Sequence, residues 1–244
     1  MTDANVSRLT GWCGLATVAL WLGQFPLWTM IGSVPPVYDG EAFAEHLLSI
    51  KNVAFTRILM DQGLFITMMV FAAGFRHLIR QARAEFEWVG TLAFGTMVVW
   101  LATTLVADGL EGGAVLDTLG GSADPSVVRA LVQGTLLIYN GSIVFTFTGL
   151  FMAAAGYATC ASGVLPRWTG WLAYVAAVLC AACVPAMYGG PVDYSGFYNA
   201  GGWGPALIAN FPPLIWFLVV SVLMVRTREA LVAPGALAKE ASVS

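Results

Sequence analysis

Asp61 stands in a long apolar run with an amide, Gln62, beside it and an arginine, Arg57, one helical turn before it. A carboxylate in hydrocarbon is expensive, so such a residue reads first as the wall of a polar cavity. Three other apolar runs carry Gln24, Gln133 and Asn210, and Arg129 precedes Gln133 by the spacing that separates Arg57 from Asp61. Asn140 continues the Gln133 face toward the middle of its run, and Asp108 and Glu111 follow the end of the third run. Acids, amides and arginines in one apolar setting can grip the polar end of an amphipathic molecule. Alternatively Asp61 can act as a general acid on a hydrophobic, isoprenoid-like substrate, with Asp108 and Glu111 as further proton-transfer candidates. A third use is a proton-coupled carrier of small solutes in which Asp61 titrates. The plainer alternative is structural: intramembrane amides tie helices together at about 0.6 to 2 kcal/mol per bond, and Arg57 or Arg129 pairs with Asp61 as a simple ion pair. Five polar groups on four runs favour a shared space over isolated ties.

The elements that position them are long and apolar. Hydrophobic residues make up 58% of the 244 and charged residues 10%, with a mean hydropathy of +0.77. That balance belongs to chains that use lipid as solvent. Apolar runs cover 11–33, 55–79, 86–107, 127–159, 168–188 and 203–225, each near or above the roughly 20 residues that cross a bilayer as a helix. The expected fold is an all-α, polytopic bundle of six transmembrane helices, with one domain over 1–229 and a disordered cytoplasmic tail over 230–244. A seventh span is excluded because 38–52 carries Asp39, Glu41, Glu45, His46 and Lys51. Within it, Phe43, Leu47 and Ile50 recur at helical spacing, which predicts a short amphipathic helix over 41–50 in the outer headgroup plane.

Eight of the eleven Lys and Arg residues fall on one side if both termini are cytoplasmic; Lys51, Arg57 and Arg129 lie outside. In that orientation Gln24, Asp61, Gln133 and Asn210 share a depth in the outer half and are expected to face one cavity. Asp108 and Glu111 would roof it from the outer end of span three. Pro212 and Pro213, just after Asn210, are expected to interrupt the sixth helix and free carbonyls beside the cavity.

Other signals are weaker. Cys180 and Cys183 form a C-x-x-C in the fifth run, open to a redox reading and to simple packing. His46 with Asp39, Glu41 and Glu45 reads as a solvated helix face, since two histidines in the whole chain do not supply a transition-metal site. No phosphate-binding glycine loop, nucleophile elbow or H-E-x-x-H occurs, so neither a cofactor nor a metal is expected. With a net charge of −3, nucleic acid is not an expected partner. Membrane lipid, a hydrophobic or amphipathic small molecule and partner membrane subunits are. The small residues Gly149, Ala153 and Gly156 form a ridge suited to close helix packing.

Two stretches carry a family resemblance: Asn52-Val-Ala-Phe-Thr-Arg-Ile-Leu-Met-Asp-Gln opening span two, and Leu165-Pro-Arg-Trp-Thr-Gly-Trp before span five. They resemble a widespread bacterial family of six-helix integral membrane proteins of unknown function. The resemblance implies six spans in a bacterial inner membrane and carries no activity. In the second stretch Pro166 suits the start of a helix, Arg167 the cytoplasmic phosphates, and Trp168 and Trp171 the acyl boundary.

Overall fold

A computed structural model describes residues 3–36, 38–121, 123–139, 141–190 and 196–226. Asn140, Asp193, Tyr194, Arg228, Lys239 and the tail 230–244 lie outside the described residues. Within them the chain is all-α: α1 (Asp3–Gly23), α2 (Phe25–Ile31), α3 (Gly40–Ser49), α4 (Lys51–Ala82), α5 (Glu87–Leu119), α6 (Pro125–Tyr139), α7 (Ser142–Ser162), α8 (Arg167–Cys183) and α9 (Trp203–Arg226), with 3-10 turns at Ala84–Phe86 and Val184–Gly189. Six helical stretches are long and apolar enough to cross a membrane: Ala4–Ile31, Lys51–Ala82, Ala84–Leu119, Pro125–Ser162, Arg167–Gly189 and Trp203–Arg226.

The helices bury stripes set by the 3.6-residue repeat. On α4 the buried face runs through Ala54, Arg57, Asp61, Leu64, Phe65, Met68, Phe71, Ala72, Phe75 and Ile79. Toward the loop joining α4 to α5, this stripe enters a dense aromatic layer. Phe71, Phe75, Phe151, Trp216 and Phe217 meet at ring-centroid distances of 4.8 to 6.1 Å, and each is essentially inaccessible. The buried indole N–H of Trp216 is satisfied by Thr169 O at 3.0 Å, which ties α9 to the first turn of α8. That turn begins as expected, with Pro166 at the N-cap and Trp168 and Trp171 exposed. Helices α7 and α8 touch through the small-residue ridge: a Cβ on Gly170 would lie 2.9 Å from Gly156 O and 2.4 Å from Cys160 Sγ.

Three boundaries differ from those expected. The fourth apolar run is not one helix. It divides into α6 and α7, and at Gly141, just before α7, an added Cβ would sit 2.2 Å from Leu137 O, a kink only glycine tolerates. The third run continues as α5 to Leu119, so Asp108 and Glu111 are mid-helix residues and not a roof at its end. Finally, α9 is continuous through Pro212 and Pro213. A proline at position i removes the bond to carbonyl i−4, here Ile208 and Ala209. The thiol of Cys180 fills one of these vacancies, lying 3.4 Å from Ala209 O. A helix crossing through two prolines survives because its neighbour supplies a donor.

A second, smaller core forms around α3. Phe43 and Leu47 pack with Ala54, Ala114, Val115, Val128, Val132 and Leu136. The helix over Gly40–Ser49 thus has its apolar face covered by α5 and α6. Asp39 caps it, accepting from Ala42 N at 3.2 Å.

Candidate functional site

Between the two cores lies a cavity of about 320 Å³. Its charged end starts on α4. Arg57 and Asp61, four residues apart, occupy one face and are both buried, at 8% and 6% exposure. Arg57 is not the partner of Asp61. Its Nη1 pairs with Glu111 Oε1 at 3.2 Å, and the guanidinium lies under Trp28, 4.3 Å from the ring centroid. The ion pair and the stack fix the arginine between α2, α4 and α5.

Asp61 is held by neutral donors. Gln24, at the junction of α1 and α2, donates from Nε2 to Asp61 Oδ1 at 2.6 Å. Tyr139, in the last turn of α6, places its hydroxyl 3.2 Å from Asp61 Oδ2 and also against Asp108 Oδ1. A hydroxyl carries one proton. Tyr139 therefore donates to one carboxyl and turns a lone pair to the other, a contact that is favourable only when that carboxyl carries a proton. The division between α6 and α7 matters here, because α6 ends at Tyr139, where that residue meets α4 and α5. Helix α6 is registered against α5 by Thr135, whose hydroxyl lies 3.2 Å from Ala107 O.

Away from the charges the walls are apolar and aromatic: Trp21, Leu64, Phe65, Met68, Trp100 and Val144, continuing to the aromatic layer below. Asn210 reaches the lining from α9, although its Nδ2 bonds Ala206 O of its own helix at 2.8 Å. His46 reaches it from α3. Its Nε2 is buried and without a partner among the described residues, and partial burial lowers the titration point of the ring below the ordinary 6.5. Asp108 Oδ2 and Arg57 Nε are likewise buried and unpartnered among the described residues. Buried polar atoms in a native protein are nearly always bonded to something, so the two orphans on the lining, on His46 and Arg57, point to water or a ligand in the cavity.

The expected residues divide. Gln24, Arg57, Asp61, Glu111 and Asn210 line one cavity, and Asp108 is joined to it through Tyr139. Gln62, Arg129 and Gln133 do not join them: all three are exposed, because each falls one position off the buried stripe of its helix. On α6 that stripe is Val128, Val132, Thr135 and Leu136, so Gln133 and Arg129 turn about 100° away. Asn140 lies outside the described residues. The solvated-face reading of His46 is corrected by its place in the cavity lining.

Tyr139 was not a candidate from sequence. Its signal was there: position 139 continues the stripe 128, 132, 135 and 136, and it is the one phenol of α6. The cysteine pair has a structural account. Cys180 and Cys183 are free and buried, and Cys180 serves the α9 carbonyl. Among the described residues no group of three His, Cys, Asp or Glu side chains could hold a metal ion. No protein-family model matches the chain, and neither a curated protein nor a solved structure matches it.

Proposed function

We propose that this chain is a multi-pass membrane protein whose cavity binds a lipid-like or amphipathic small molecule. One observation carries the reading. The space has a charged and hydrogen-bonding end, made by Arg57, Asp61, Glu111, Gln24 and Tyr139, and an apolar, aromatic remainder, so it matches a molecule with one polar end. Its volume of about 320 Å³ lies at the lower end of the roughly 300 to 1,000 Å³ of ligand pockets. The packed layer of Phe71, Phe75, Phe151, Trp216 and Phe217 supports binding over passage, because a carrier needs a route that these rings occupy. The excess of Lys and Arg on one side supports cytoplasmic termini, which sets Asp61 in the outer half of the membrane and α3 at the outer surface. The bacterial inner membrane follows from the family resemblance.

One feature favours a second reading, a membrane enzyme. Tyr139 bridges two carboxyl groups, an arrangement through which a proton can be passed to a substrate held against Asp61. Both readings are tested by extracting the protein in mild detergent and identifying retained small molecules by mass spectrometry. Binding predicts one amphiphile at near-stoichiometric level. Catalysis predicts that this molecule, supplied back, is converted, and that Asp61→Asn retains it unconverted. Recovery of bulk lipid only, in proportion to the membrane, contradicts both.

A further inference from the structure

The charges around the cavity do not balance among themselves. Glu111 is matched by Arg57, whose Nη1 it holds and whose face Trp28 covers. Asp61 and Asp108 remain. Among the described residues neither has a Lys or Arg within ion-pair distance; their partners are Gln24 and Tyr139, both uncharged. Asp61 is 6% exposed and Asp108 4%, and Asp108 Oδ2 has no partner at all among the described residues. A proton shared through Tyr139 neutralises one of the two carboxylates and satisfies its hydroxyl on both sides. The other carboxylate has no ion-pair partner among the described residues, and a buried charge without one is costly. The same lining offers Trp21, Trp100 and Phe65, rings whose faces attract cations and which no arginine covers.

We infer that the polar end of the ligand is a cation, an ammonium group carried on an apolar chain or ring system, seated between the Asp61–Tyr139–Asp108 group and the tryptophans. This rests on reading the cavity as a ligand site. A carboxylate or phosphate head would add a third negative charge beside Asp61 and Asp108 and find the one arginine engaged. A neutral alcohol would fit the space and leave the charge unmatched.

The test compares three probes with one tail: octylamine, octan-1-ol and octanoate, titrated at pH 7.5 into the full-length protein in nanodiscs and followed by tryptophan fluorescence. A cavity-filled variant, Val132→Trp, supplies the signal for partitioning into the bilayer. Octylamine is expected to bind at least tenfold tighter than octan-1-ol, with octanoate weakest. Asp61→Asn and Asp108→Asn are expected to remove most of that tenfold preference of octylamine over octan-1-ol. If octan-1-ol or octanoate binds as well as octylamine, the cationic head is wrong and the cavity reading stands. If no probe binds more than it does to Val132→Trp, both are wrong. Should either Asp variant fail to fold, the wild-type ranking alone decides.

Discussion

Arg57 chooses Glu111 over Asp61, and this gives the two acids opposite sensitivities. Removing the charge of Glu111 leaves a buried guanidinium unmatched, a change that typically costs about 3 to 5 kcal/mol. Glu111→Gln is therefore expected to lower the melting temperature in detergent markedly. Asp61→Asn keeps an acceptor for Gln24 and offers Tyr139 an N–H in place of a lone pair, so it should melt within about 1 kcal/mol of wild type. Equal losses in the two variants would show that Asp61 is part of the ion pair. His46 gives a pH signature. Its folded-state titration point is lowered by burial, so the unfolded chain takes up the proton first as the pH drops below about 6.5. Stability is then greatest above that pH and declines below it. The titratable groups lining the cavity with it are Arg57, Asp61, Glu111 and Tyr139, and the residue is only half-buried, so the slope is shallow. Compared with wild type, His46→Gln should lose less melting temperature between pH 7.5 and 5.5; an unchanged loss would remove His46 from the cavity lining.

At the level of helices, the Cys180 thiol and Pro213 act on one carbonyl. Cys180→Ala should cost about 1 kcal/mol by stranding Ala209 O. In a Pro213→Ala background, where the α9 backbone can bond that carbonyl itself, the cost of Cys180→Ala should shrink by at least half. Strict additivity in the melting temperatures of this cycle would separate the two residues. This pairing was invisible in the sequence, since Cys180 and the carbonyl of Ala209 stand 29 positions apart and meet through helix packing alone. Long apolar runs, the Pro166 turn and the α3 amphipathic spacing were legible because each depends on local composition or period. The same holds for Arg57 with Asp61, which share a helix face by arithmetic. What was not legible was rotation. Gln133 and Arg129 looked equivalent to Asp61 and Arg57 by depth, yet a single step of about 100° around α6 turns them outward and leaves Tyr139 in their place. Gly141 was the clue that one helix does not run through the fourth apolar run.

Taken together, the bundle has one end filled by aromatic rings and one end holding charges around a space, with α3 packed over it through Phe43 and Leu47. The proposed topology places α3 outside the cell. Glu45 is exposed on that helix, so Glu45→Cys should react with an impermeant thiol reagent added to intact cells. Reaction only after the membrane is opened would reverse the orientation. The space between Asp61 and Trp100 is expected to hold an amphiphile, and an experimental density map of protein purified from its own membrane tests this most directly. Elongated density is expected, with its polar end within hydrogen-bonding distance of Asp61 or Tyr139 and its remainder following Leu64, Phe65 and Trp100. Density for ordered water alone, or side chains collapsed to fill the space, would contradict it.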